Sequence, residues 1–127
     1  MSTIASIMLY AGSIAITVWG IAHIVPTKSV ISGFGAISQD NLRIITMEWI
    51  AEGLTLCFIG ALTLFLTLSG GPQSAIIANV YRICALMLIV MAVLSLFTGA
   101  RTSVVFFKIC PVVKTTVAVL FLVGIVV

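Results

Sequence analysis

Long apolar segments separated by short polar stretches make up almost the whole chain. Each segment is close to or above the ~20 residues that a helix needs to cross the hydrocarbon core of a bilayer. The four predicted spans cover residues 4–25, 41–68, 74–99 and 104–127. Pro26 ends the first span, and Ser69-Gly70-Gly71-Pro72 predicts a turn between the second and third spans. The pattern therefore predicts an all-α polytopic membrane protein, a single domain built as a four-transmembrane-helix bundle.

Two stretches depart from this simple pattern. The connection over residues 26–41 contains glycine, serine and aspartate, which predicts a loop or a short interfacial helix. Ser38 or Asp40 is placed to cap the second span. In the fourth segment, Pro111 removes one backbone amide donor from an apolar run. We therefore expect either a kinked helix there or an interfacial piece before Pro111 followed by a span.

The composition excludes several other classes of protein. Hydrophobic residues make up 62% of the chain and charged residues 7%, with a mean hydropathy of +1.38. Soluble domains have about 45–50% apolar and about 25% charged residues, and disordered chains have the opposite balance. The net charge of +3 comes from scattered basic residues, so we expect no binding of nucleic acid. The three cysteines form no C-x-x-C pair and are expected to pack as small apolar residues.

The basic residues are unevenly distributed between the two ends of the spans. No Lys or Arg precedes Lys28, and the first apolar stretch exceeds the core of a signal peptide, so we expect a retained transmembrane helix. Five of the six basic residues lie at or near the side that carries the connections 26–41 and 100–103: Lys28, Arg43, Arg101, Lys108 and Lys114. The positive-inside rule places that side in the cytoplasm and both termini outside.

The second span contains two acidic residues within the sequence MEWIAEG. Glu48 and Glu52 are spaced i, i+4, so they project from the same face of a helix. At ~1.5 Å per residue from Arg43, they lie ~7 Å and ~13 Å along the helix, deeper than the headgroups. A charged acid at the centre of a span costs about 2.5–3.5 kcal/mol on insertion scales. The pair therefore needs a shared proton, a facing cation or a wet cavity.

Other polar residues are expected to join this pair in the same half of the membrane. We expect His23, at the end of the first span, to lie near Glu48, with lysines of the fourth segment entering from the same side. The candidate ligand-binding residues are His23, Glu48, Trp49, Glu52, Lys108 and Lys114. Such a cluster is suited to a proton relay, to cation binding or to holding a polar headgroup. Alternatively, the glutamates pair with Lys114, Lys108 or Arg43 and only set the helix register. The sequence assigns no catalytic residue, metal or cofactor.

Small and aromatic residues indicate packing and membrane position. Three small residues recur along one side of the second span: Gly53, Cys57 and Gly60. In lipid, such a stripe allows helix backbones to approach closely. Three aromatic residues near span ends suit an interfacial belt: Trp19, Trp49 and Tyr81.

Two segments carry a family resemblance. The connection HIVPTKSVISGFG and the acid-bearing RIITMEWIAEG, with four spans in 127 residues, resemble the DoxX-like group of small bacterial membrane proteins. This resemblance implies a multi-pass protein of the bacterial inner (plasma) membrane. It also implies an accessory or ligand-binding role, with a lipid-like or quinone ligand, and a membrane partner protein. A chain this small buries little between its own helices, so a homodimer is an alternative to the membrane partner. The chain has no paired-cysteine or haem signature, which argues against a direct redox role.

Two alternative functions stay open at this point. One is an intramembrane enzyme that uses a glutamate as general acid or base on a lipid-like or quinone substrate. The other is a proton-coupled small-molecule exporter. Small multidrug exporters carry their key glutamate in the first helix, where this chain has no acidic residue.

Overall fold

The protein folds into helices joined by short turns. The computed structural model describes residues 1–127 and contains no strand. Its elements in chain order are α1 (Thr3–Ile24), α2 (Thr27–Ser32), α3 (Gln39–Leu68), α4 (Ala75–Phe97), a 3₁₀ turn (Gly99–Arg101) and α5 (Val105–Gly124). The four helices α1, α3, α4 and α5 are long and apolar enough to cross a membrane. The predicted all-α fold with four transmembrane helices is therefore confirmed.

Serine side chains cap the N-termini of three of the long helices. The hydroxyl of Ser2 accepts from the amide of Ala5 (3.0 Å), and the hydroxyls of Ser38 and Ser74 do the same at α3 and α4. These hydroxyls satisfy amides that have no partner within the first turn of a helix. Of the two predicted caps for α3, the structure uses Ser38, and Asp40 lies within the first turn. The connection before α3 contains the short helix α2, one of the two arrangements predicted there.

Helix α5 runs through Pro111 without a break from Val105 to Gly124. A separate interfacial piece before Pro111, one of the two expected arrangements, is therefore not formed. A proline in a helix interior leaves one carbonyl of the preceding turn without its amide partner. The apolar packing of α5 against α1 and α4 supports the helix across this position.

The helices pack in the spatial order α3, α1, α5, α4. Helix α1 contacts α3 on one side and α5 on the other, and α4 packs on α5. Although α3 and α4 are consecutive long helices, they touch each other very little. Near their shared turn, Tyr81 bridges them, because its hydroxyl donates to the Thr63 carbonyl (3.1 Å) and bonds the Thr67 hydroxyl (2.7 Å). Further along, the two helices are separated by a cleft.

Glycines allow the closest contact in the bundle, between α1 and α3. A Cβ at Gly20 would lie 2.8 Å from the carbonyl oxygen of Gly53. A Cβ at Gly60 would lie 2.9 Å from the carbonyl oxygen of Ser13, whose hydroxyl donates to Thr63 across the same interface (2.9 Å). A side chain larger than a hydrogen atom at either glycine would push the backbones of α1 and α3 apart. The predicted packing stripe on α3 is thus confirmed.

The aromatic belt predicted for span ends is wrong for Tyr81. This side chain is fully buried in the core, with its ring edge against Phe121 at 5.8 Å between centroids. Trp19 also turns inward, since it stacks on Phe106 at 4.7 Å. Stacked or edge-on aromatic pairs add to the packing energy, which favours these inward positions.

Candidate functional site

A buried lysine joins three of the long helices. Lys114 on α5 is only 1% exposed, and its ammonium forms an ion pair with Glu52 on α3. The same ammonium donates to the Ser95 hydroxyl on α4 at 3.0 Å. A charge inside a membrane protein is strongly disfavoured unless it is paired and hydrogen-bonded. Lys114 therefore depends on α3 and α4 for its partners and ties both helices to α5.

His23 faces the other oxygen of the same carboxylate. The side chain is 3% exposed, and its Nε2 lies 3.7 Å from Oε2 of Glu52. That distance is too long for a hydrogen bond, and Nε2 has no other hydrogen-bond partner. We call His23, Glu52, Ser95 and Lys114 the polar cluster. It brings together side chains from all four long helices.

Trp49 holds His23 in position. The two rings stack at 4.0 Å between centroids with an interplanar angle of 16°, and Phe107 packs edge-on against the indole. The indole N–H of Trp49 donates to the backbone carbonyl of His23 (2.8 Å). Because α1 ends at Ile24, this carbonyl has no amide partner in its own helix. Trp49 thus stabilises both the end of α1 and the orientation of the imidazole.

The structure gives different partners to the two glutamates that the sequence suggested as a pair. Glu52 lies in the polar cluster, whereas Glu48 is exposed and forms no ion pair. His23, which the sequence placed near Glu48, contacts Glu52, one turn further along α3. Four residues advance a helix by about 40° beyond one full turn. Glu52 is consequently less exposed than Glu48, although both side chains lie on the same side of α3.

The remaining basic candidates also lie outside the polar cluster. Lys108 is exposed and forms no ion pair. Arg43 pairs with Asp40 at 3.8 Å on the surface, where both side chains are largely exposed. Of the proposed pairings between a glutamate and Lys114, Lys108 or Arg43, only that of Glu52 with Lys114 forms.

A cleft opens beside the polar cluster, between α3 and α4. It encloses about 400 Å³. Its walls are formed by Glu48, Ala51, Glu52 and Thr55 of α3, by Met87, Met91, Leu94 and Ser95 of α4, and by Thr98 just after α4. Glu52 is 34% exposed, whereas its partner Lys114 is buried. The two carboxylates are therefore the only charged groups that line the cleft.

An apolar groove continues from this cleft along the same two helices. It encloses about 260 Å³, and its walls share Thr55 and Met87 with the cleft. The other lining residues are Phe58, Ile59, Leu62, Val80, Ile83 and Cys84. The cleft and the groove therefore lie next to each other along α3 and α4, with two carboxylates in the cleft and mainly apolar side chains in the groove.

Sequence reasoning missed Ser95 and the wall formed by α4. Ser95 is a polar residue in the apolar run AVLSLF, and polar residues inside transmembrane helices commonly bond across helices. This pattern indicates a hydrogen bond to another helix but does not identify the residue that forms it. The cysteines behave as expected for packing residues, because all three are free and two of them are buried. The structure brings together no group of three or more His, Cys, Asp or Glu side chains that could hold a metal ion.

Comparison with family models, with curated proteins and with solved structures finds no match for this chain. The DoxX-like resemblance consequently stays a prediction, and the geometry of the cleft and the polar cluster is the basis for interpreting the site.

Proposed function

We propose that this protein binds a lipid-like ligand in the cleft between α3 and α4, as an accessory membrane protein of the DoxX-like kind. The observation that carries the proposal is the cleft itself, which has carboxylates at one end and an apolar groove at the other. A ligand with a polar head and an apolar chain matches this arrangement. The cleft that forms the polar end has a volume of about 400 Å³, which is within the usual size of small-molecule sites.

The packing order of the helices gives such a ligand a route from the bilayer. Helices α3 and α4 lie at the two ends of the order α3, α1, α5, α4, so the gap between them opens sideways. Exposed apolar side chains of both helices, such as Phe58 and Ile83, flank this gap. A molecule dissolved in the membrane therefore reaches the carboxylates without crossing the water phase.

The two glutamates have different roles in this proposal. Glu52 is held by Lys114 and forms part of the framework that joins the helices. Glu48 has no protein partner and lines the cleft, so it is free to contact a ligand. The polar cluster forms the base of the site, and Trp49 supports the cluster by stacking on His23.

The location is proposed from the charges and from the resemblance. We place the chain in the bacterial inner membrane with both termini outside, because most basic residues lie at the opposite side. The carboxylates then lie in the cytoplasmic half of the bilayer. Fusion of a reporter enzyme to either terminus tests this orientation, since the reporter will be active only on its own side of the membrane.

A cleft-filling substitution tests the proposed function. Ala51 lines the cleft and is exposed, so Ala51→Phe fills space without disturbing the core. Ala61→Phe is the matched control, because Ala61 is also exposed on α3 but lies outside the cleft and groove. We expect native mass spectrometry in mild detergent to show a discrete added mass on the wild type and on Ala61→Phe. Ala51→Phe will lack it. A bare wild type, or retention of the mass by Ala51→Phe, would contradict the proposal.

One observation favours the intramembrane enzyme as a second candidate function. His23 Nε2 lies 3.7 Å from Glu52 and has no hydrogen-bond partner, so a small shift would allow a proton to pass between them. If the pair is catalytic, Glu52→Gln will abolish conversion of the bound molecule while the ligand still binds. If the bound mass is released chemically unchanged by the wild type, this second candidate is excluded.

A further inference from the structure

The cleft presents only negative charge to a ligand. Lys114, the nearest cation, is 1% exposed and lies behind Glu52. His23 is 3% exposed and lies on the far side of the same carboxylate. The charges of Glu52 and Lys114 cancel, whereas Glu48 has no compensating charge in the protein. With neutral His23, the site as a whole therefore carries one uncompensated negative charge.

The carboxylates also have unused capacity to accept hydrogen bonds. Lys114 donates to Oε1 of Glu52, but Oε2 receives no hydrogen bond. The buried Nε2 of His23 lies 3.7 Å from Oε2, too far for a hydrogen bond, and has no other partner. The side chain of Glu48 accepts no hydrogen bond from the protein either. Because the cleft is largely apolar, leaving these oxygens without hydrogen bonds is unfavourable, and N–H donors of a ligand would satisfy them.

We propose that the ligand is an amphiphilic amine, whose protonated ammonium lies between Glu48 and Glu52 while its apolar chain follows the groove between α3 and α4. An ammonium supplies both missing elements, a positive charge and several N–H donors. A quaternary ammonium supplies the charge without donors and is usually bound by aromatic rings, which are absent from the polar end of the cleft. Met87 and Met91 provide an adaptable wall for the first carbons of the chain. This inference rests on the proposed function and adds the ligand class.

Probes of equal chain length test the ligand class. We would add tetradecylamine, tetradecyltrimethylammonium, tetradecanol or tetradecyl sulfate to the purified protein in a neutral maltoside detergent. Native mass spectrometry then counts the bound molecules over a range of probe concentrations. The expected result is one tetradecylamine per chain, bound more tightly than each of the other three probes. All probes share one tail, so differences in affinity report the head group.

Two charge-neutralising variants show whether the carboxylate of Glu48 is responsible for binding the amine. Glu48→Gln is expected to weaken binding of tetradecylamine about tenfold or more, because a charge-assisted hydrogen bond is lost. Asp40→Asn removes the same charge from an exposed residue outside the cleft and should leave binding unchanged. Both positions are exposed, so both variants are expected to fold as the wild type does.

The possible outcomes separate the ligand class from the proposed function. Equal binding by Glu48→Gln and the wild type, or a preference for the alcohol or the sulfate, would overturn the amine while leaving a lipid-like ligand in the cleft. A preference for the trimethylammonium probe would overturn the N–H donor argument. If no probe binds and Ala51→Phe carries the same mass as the wild type, the cleft is not a site and both proposals fail.

Discussion

The sharpest test of the bundle concerns the buried lysine. Lys114→Met removes the only cation that contacts Glu52, while a methionine keeps the length and the apolar contacts of the side chain. Breaking a buried ion pair by removing one partner costs about 3–5 kcal/mol, because the other charge is left uncompensated. Glu52 is 34% exposed to the cleft, where water relieves part of this cost. We therefore expect Lys114→Met to lose about 2–3 kcal/mol of unfolding free energy.

Two further variants distinguish the effect of the unpaired charge from the effect of side-chain packing. In Lys114→Met with Glu52→Gln, no charge is left without a partner, so we expect most of the lost stability to return. The exchange of the two residues, Glu52→Lys with Lys114→Glu, should restore stability partly, because the pair is rebuilt in reverse. Unfolding in mixed micelles with increasing dodecyl sulfate, followed by circular dichroism, measures the free energies. The double-mutant cycle then gives the coupling between the two residues.

Two results of these measurements would contradict the assigned role of the ion pair. A stability for Lys114→Met within about 0.5 kcal/mol of the wild type would show that the pair contributes nothing. Strict additivity of the Lys114 and Glu52 changes would show that the two side chains do not interact. Either result would remove the framework on which the position of Glu52 at the cleft depends.

Three further substitutions test individual contacts, each by the same unfolding assay. Gly20→Ala places a Cβ 2.8 Å from backbone atoms of α3 and should cost about 1–3 kcal/mol, whereas Gly99→Ala, with its nearest contact at 3.5 Å, should be nearly neutral. Tyr81→Phe removes the hydroxyl that bonds two threonines of α3 and should cost about 1–2 kcal/mol. Trp49→Phe keeps a ring on His23 but loses its N–H donor, so we expect a loss of about 0.5–1.5 kcal/mol.

Each of these predictions has a result that contradicts it. Equal effects of alanine at Gly20 and at Gly99 would mean that α1 and α3 are not in close backbone contact. An unchanged stability of Tyr81→Phe would mean that the buried hydroxyl does not hold α4 to α3. If Trp49→Phe is no less stable than the wild type, the His23 carbonyl finds another donor.

Much of the local structure follows from residues close together in the chain. Ser38 caps α3 because its hydroxyl reaches an amide three residues away, and the pattern of Ser, Asp and Asn before the apolar run already indicates this. Gly70 and Gly71 adopt positive φ angles of 111° and 74°, which glycine readily provides in the predicted turn. Such features depend on the backbone and on nearest neighbours, so a sequence pattern is sufficient to predict them.

The site required contacts between distant parts of the chain. The sequence indicated that the two glutamates need a shared proton, a facing cation or a wet cavity, and it left Lys114, Lys108 and Arg43 as choices for the cation. Lys114 is 62 residues away in the chain, and only the packing of α5 against its neighbours brings it to Glu52. The partnership of His23 with Glu52 rather than with Glu48 depends in the same way on the rotation of α1 relative to α3.

The sequence alone determined that the chain forms four apolar helices of membrane-spanning length, and that one of them carries two acidic residues in an apolar environment. The tertiary structure decided which helix faces are buried, and with them the order α3, α1, α5, α4 and the cleft between α3 and α4. The physical reason is that a membrane helix is apolar toward the lipid as well as toward its neighbours. Hydrophobic periodicity consequently shows that such a helix exists but not which side contacts protein, and close packing of small residues and a few polar bonds make that choice.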